Sequence, residues 1–282
     1  MGNERIMKTS KIASDNINST AIIEKWYKLL EFPTEFDNEF YSCLHSNEIL
    51  ENTCIENFDF NSTNGKINLL SFLFMCEKVK TIYQQKNIPE NVLLDTLKDI
   101  VNWTKIYSKI KNSLYLGEIA WLKRHMTARL FRLGRLQFAF GVCPIDYPKF
   151  NLKKGDNLVE VHIPEGEKIC VESCERSFIL AKEFFDKYFP NYDYTCFACE
   201  SWLLDKKLNN YLDSSSNILK FASRFEVIEE QASNSIIKYL FSWDTTMENL
   251  NEKNCTSTFA QKIKNAVLNG EQFHECFGVF KK

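Results

Sequence analysis

Leu158-Val159-Glu160-Val161-His162-Ile163-Pro164-Glu165-Gly166-Glu167-Lys168 is the stretch on which the fold turns. Its first six residues are mostly apolar and β-branched, which predicts a strand over about Leu158–Ile163. Pro164 ends it, and a polar loop with one glycine runs to Ser173, a residue suited to cap a helix. The spacing then predicts a helix over about Cys174–Tyr188, a break at Pro190, and a second strand over about Tyr194–Ser201. Two strands joined by a short helical crossover lie parallel in one sheet.

Working outward, Phe131–Phe140 alternates and reads as one strand. Pro144, Pro148 and Lys153-Lys154-Gly155-Asp156 mark the loop that separates it from the central unit. Downstream, the pattern predicts a helix over about Leu204–Leu212 and strands over about Ile218–Glu229 and Ser235–Trp243. A last helix over Thr258–Leu268 and a short strand after Gly270 close the chain. The texture before residue 130 is different. Ser19 or Thr20 caps a segment with Ile22, Ile23, Trp26, Leu29 and Leu30 at helical spacing. Further helices are expected over about Lys66–Gln85, from Pro89 through Trp103, and over about Glu118–Arg129. The expected organisation is a mainly helical N-terminal domain, residues 1–129, followed by an α+β or α/β domain, residues 130–282, with a mixed sheet flanked by helices.

The 282 residues carry only 9 glycines and 6 prolines, with 44% hydrophobic content, so the chain is able to bury a sizeable core. No G-x-G-x-x-G array, no G-x-x-x-x-G-K-[ST] loop, no H-E-x-x-H helix and no G-x-S-x-G elbow occurs in the sequence. The balance of 35 basic against 37 acidic residues lacks the basic excess of a nucleic-acid binder. The longest apolar stretch, Ile67 to Cys76, is interrupted by Asn68 and Ser71 and falls short of the ~20 residues that cross a bilayer. Met1 to Asn18 is polar and without the apolar core of a secretory signal. A cytoplasmic location is therefore expected, with the 10 cysteines reduced and the glycosylation patterns at Asn18 and Asn61 idle.

The C-terminal order resembles the N-acetyltransferase (GNAT) superfamily. It resembles more closely a group of bacterial acyltransferase-domain proteins with a helical N-terminal domain and a GNAT-like C-terminal domain. Four blocks carry the likeness: Arg132-Leu133-Gly134-Arg135-Leu136-Gln137-Phe138; His162-Ile163-Pro164 and Gly166, with Ala181, Phe184, Phe185, Phe189 and Pro190; Cys199-Glu200-Ser201-Trp202-Leu203-Leu204-Asp205; and Ser216-Asn217-Ile218 with Phe221, Arg224 and Phe225. They cover about residues 130–230. The resemblance implies acyl-coenzyme A lying in a V between two splayed parallel strands, its acyl group passing to an amine acceptor that the sequence does not identify. The chain departs from the usual Gln/Arg-x-x-Gly-x-Gly/Ala loop by having the single Gly166, and Ala139 stands where an acidic residue often follows the Leu-Gln-Phe run.

Coenzyme A carries a pyrophosphate that helix N-terminal amides hold without a glycine-rich loop. Val161, Ile163, Gly166, Glu167, Lys168 and Ile169, with Ser201 across the V, are the expected cofactor-binding residues. His162 is the candidate base and Cys199 the candidate nucleophile or site-lining thiol, both at the C-terminal ends of neighbouring strands, where α/β sheets bind ligands. Tyr211 is the candidate acid for the leaving thiolate. Plainer readings stand beside these: a structural strand-end histidine, a small buried cysteine and a packed tyrosine. Cys196-x-x-Cys199 lacks a second ligand pair at zinc spacing, so no metal is expected. A non-catalytic GNAT-like binding module and a thiol–disulfide enzyme are the competing classes.

Overall fold

The computed structural model describes residues 19–46 and 63–282. The polar segment Met1–Asn18 and the pattern residues Asn18, Asn61 and Ser62 lie outside the described residues. Two compact units divide at Arg129 and Leu130.

The first unit is helical: α1 (19–29), α2 (Asp37–Leu44), α3 (Gly65–Gln85), α4 (Glu90–Lys111) and α5 (Ile119–Met126). Asn64 caps α3 through its side-chain oxygen, which accepts from the amides of Lys66 and Ile67. Pro89 precedes α4 and fixes the φ at its start. The core is built from Trp26, Phe40, Leu69, Phe72, Leu73, Val79, Leu97 and Ile100. A buried polar group centres on Asp99, whose carboxylate accepts from Trp121 Nε1 at 2.9 Å and lies 3.1 Å from His125 Nε2.

The second unit is a six-stranded mixed sheet in the order β1-β2-β3-β4-β6-β5. Its strands are β1 (Leu130–Leu133), β2 (Leu136–Val142), β3 (Asn157–His162), β4 (Cys196–Ser201), β5 (Glu226–Ala232) and β6 (His274–Lys281). Helix α6 (Val171–Tyr188) crosses from β3 to β4, which pair in parallel as the sequence requires; every other pairing is antiparallel. The face under α6 is aromatic: Phe178 packs edge-on against Phe138, Phe197 and Phe280. The opposite face is covered at one end by Cys143, Tyr147, Phe150 and Leu152, which pack with Leu158, Cys196, Ala198 and Val279.

Four expectations change. Residues 131–140 form a hairpin rather than one strand, because Gly134 adopts φ +73°, a turn conformation that a β-branched residue resists. Residues 217–222 form α7 (Asn217–Ala222), capped by the Ser216 hydroxyl, before β5 begins. Residues 235–240 form α8 (Ser235–Leu240), where Ile236 and Ile237 bury one helical side against α9 (Thr258–Leu268) and Leu250. Residues 202–210 form two 3-10 turns in place of a longer helix.

Candidate active site

The parallel register of β3 and β4 runs over only two residue pairs, Val159 with Phe197 and Glu160 with Ala198. Both strands continue past it, β3 through Val161 and His162 and β4 through Cys199 to Ser201, so the pair splays at its C-terminal ends. A splayed parallel pair leaves strand edges that an extended amide-containing chain is able to meet.

The pleat sorts the candidates onto two faces. Gln137 stands opposite His162, Ala139 opposite Glu160, and Glu160 opposite Ala198, so His162, Glu160, Gln137 and Glu200 share the face away from α6. Cys199 and Ser201 point the other way, toward α6. His162 and Cys199 are therefore not brought together.

His162 is half-buried, and its Nε2 lies 3.3 Å from Glu160 Oε2. Glu160 folds over Gly141: a Cβ at Gly141 would stand 2.4 Å from Glu160 Cγ. Gln137, 1% exposed, carries an amide whose nitrogen and oxygen both lack a hydrogen-bond partner among the described residues. Glu200 is exposed, yet desolvation on its sheet side and the carboxylates of Glu275, Glu160 and Glu229 push its pKa up, against a smaller pull from His162. The site face is strongly acidic.

Cys199 is 1% exposed, and burial pushes its thiol far above the ordinary range. Burial of this kind favours the neutral thiol over the nucleophilic thiolate. The reading as a small buried hydrophobe fits it. Cys196, also buried, has its thiol raised by the same cause, and the nine cysteines among the described residues are free thiols. Ser201 Oγ accepts from the Leu203 amide and caps the first 3-10 turn. Tyr211 donates to Glu271 in a shallow pocket with Lys262, Asn265 and Asn269, and that contact pushes its pKa up to about 12. None of the residues lining that pocket belongs to the His162 face.

The loop between β3 and α6 has Gly166 at φ +106°, with nothing within 4 Å of where a Cβ would stand. Gly166, Glu167 and Lys168 are exposed, whereas Val161 is fully buried and reaches a ligand only through its main chain. Ile163 and Ile169 anchor the loop's ends on the apolar cluster of Leu208, Ile236, Ile263 and Phe273. The amides of Gly166, Glu167, Lys168 and Ile169 donate to no backbone carbonyl among the described residues. Asn217 Nδ2 holds the Ile169 carbonyl at 3.0 Å, and Arg224 pairs with Glu175 while lying over the rings of Phe178 and Phe280. Among the described residues, no group of three or more His, Cys, Asp or Glu is placed to hold a metal ion.

Sequence reasoning missed Glu160 and Gln137 on the His162 face. Glu160 was within reach, because two residues apart on a strand means one face. Gln137 needed the β2–β3 register, which spacing alone does not supply.

A helical unit followed by a mixed sheet with a splayed parallel pair and an amide-lined strand-to-helix loop defines a GNAT-type acyltransferase fold. The family model for the GNAT-like C-terminal domain matches residues 130–280, and the model for the N-acyltransferase N-terminal domain matches residues 24–128. The chain belongs to the family defined by that GNAT-like C-terminal domain. Among solved structures it is similar to an acyltransferase in complex with decanoyl-CoA and teicoplanin, with TM-score 0.76, 20% identity, and coverage of 92% of this chain and 87% of that one. An acyltransferase mutant in complex with octanoyl-CoA matches with the same TM-score, identity and coverage. At that identity the likeness speaks to the fold. Among curated proteins, none matches the chain.

Proposed function

We propose that the protein is a cytoplasmic acyl-coenzyme A-dependent N-acyltransferase whose acceptor is a cationic amine. The carrying observation is the two-pair parallel register that opens into a V with His162 and Glu160 at its mouth. The pantetheine arm would run along the free edges of β3 and β4, and the pyrophosphate would sit on the amides of Gly166–Ile169 and the first turn of α6. The solved acyltransferases of this fold hold octanoyl- and decanoyl-CoA, which makes medium-chain thioesters the first donors to try.

A protonated amine is drawn to a face carrying Glu160, Glu200, Glu229 and Glu275. It must lose a proton to attack. With Nε2 of His162 donating to Glu160, the basic lone pair is on Nδ1, and the carboxylate stabilises the imidazolium that forms. The amine nitrogen then bonds to the thioester carbonyl carbon, the carbon–sulfur bond breaks, and coenzyme A leaves as its thiolate. That thiolate takes a proton from the imidazolium or from water. Gln137, opposite His162 and with both amide atoms unpartnered among the described residues, is suited to hold a polar group of the acceptor. Direct transfer needs no covalent intermediate, in keeping with the burial of Cys199.

Thermal unfolding with and without millimolar octanoyl-CoA tests the donor half. A rise of several degrees is expected, because a ligand that binds only the folded state stabilises it. No shift with coenzyme A or any acyl-coenzyme A would count against the reading; a shift with no transfer to any amine would favour the binding module.

A further inference from the structure

The β1–β2 turn supplies a residue that no part of the chemistry above uses. Arg135 is 6% exposed and sends its guanidinium into the β3–α6 loop. Nη1 donates to the Pro164 carbonyl at 3.0 Å, Nε to the Lys168 carbonyl at 3.4 Å, and Nη2 to the Glu167 carbonyl. The C=O and N–H of one peptide unit point in opposite directions. Turning the carbonyls of Glu167 and Lys168 toward the hairpin therefore turns the amides of Lys168 and Ile169 away from it. Those two amides make no backbone hydrogen bond among the described residues.

Arg135 is itself fixed. Ser177 Oγ on α6 accepts from the Arg135 amide at 2.8 Å and from the Leu136 amide at 3.3 Å, and donates to the Ser173 carbonyl at 2.9 Å. Gly134 lets the turn come this close: a Cβ there would stand 2.9 Å from the same oxygen. The neighbouring Arg132 pairs with the Glu167 carboxylate of the loop at 3.1 Å. A carboxylate tethered to Arg132 is drawn off the line that a phosphate would occupy.

We infer that Arg135 is a positioning residue for the coenzyme A pyrophosphate. It does not meet the phosphates. It clamps the loop carbonyls so that the amides of a loop with one glycine face a dianion, and Arg132 completes the clamp by restraining Glu167. In this chain a side chain on a neighbouring hairpin does what a second glycine does elsewhere by backbone freedom alone. The inference rests on the acyl-coenzyme A reading above.

Two donors separate the roles: octanoyl-CoA, and octanoyl-pantetheine, which presents the same thioester without the pyrophosphate. In Arg135→Ala, KM for octanoyl-CoA should rise about tenfold or more with kcat within about twofold, because the lost contacts bind ground state and transition state alike. For octanoyl-pantetheine, kcat/KM should stay within about twofold, and Arg135→Lys should recover part of the octanoyl-CoA loss. Arg135→Lys carries the same comparison if the alanine variant does not fold. Equal losses with both donors, or no loss with either, would overturn the inference. No turnover of octanoyl-CoA by the unaltered protein would instead overturn the acyl-coenzyme A reading.

Discussion

Glu160 and His162 stand two residues apart on β3, a spacing that puts them on one face, and we propose that they handle the proton together. His162→Ala should lower kcat/KM about 100-fold or more, measured with a fixed amine; Glu160→Gln should lower it less. Cys199→Ala should cost about 1 kcal/mol in urea unfolding and leave transfer intact, since the thiol is buried and on the opposite face. Glu200 tests the acidic face through stability. Its carboxyl is held above its unfolded value by desolvation and by Glu275, Glu160 and Glu229. A raised carboxyl favours the protonated fold, so stability falls as pH rises from the unfolded value of about 4.3 through the folded one. Glu200→Gln should therefore raise the unfolding temperature at pH 7 and bring no gain at about pH 4. At this scale the sequence singles out His162 by its place at a strand end. It does not pair it with Gln137, because that pairing depends on the antiparallel register of β2 and β3.

Elements around the site depend on one hinge of hydrogen bonds between the β1–β2 turn, α6 and the loop they enclose. Ser177→Ala would leave the amides of Arg135 and Leu136 without their buried acceptor, so a loss of roughly 2 kcal/mol is expected in urea unfolding. The strand–loop–helix–strand core was legible because Pro164, Gly166 and Pro190 punctuate it and because apolar spacing changes from strand to helix across Ser173. Residues 235–240 were not. Ile236 and Ile237 favour a strand locally, and only the surface offered by Leu250, Ile263 and Val267 makes a short helix the better burial. The turn within Phe131–Phe140 is hidden in the sequence for a related reason: the hairpin at Gly134 is stabilised from outside, by Ser177, and leaves the alternation on either side intact.

Across the whole molecule, the two family models cover the helical unit and the sheet unit in turn, and among the described residues no helix is long and apolar enough to cross a membrane. We propose that residues 1–129 and 130–282 are separate domains, with donor binding and proton transfer in the second. On the proposed function, the second unit moves an acyl group from coenzyme A to an amine under the control of His162. Chromatographic detection of free coenzyme A and acylated amine, with octanoyl-CoA and a panel of cationic amines, tests it most directly. Equimolar amounts of both products are expected from the unaltered protein, and about 100-fold slower formation by His162→Ala with octanoyl-CoA binding retained. Octanoyl-CoA bound but never transferred to an amine, or transfer unchanged in His162→Ala, would contradict it.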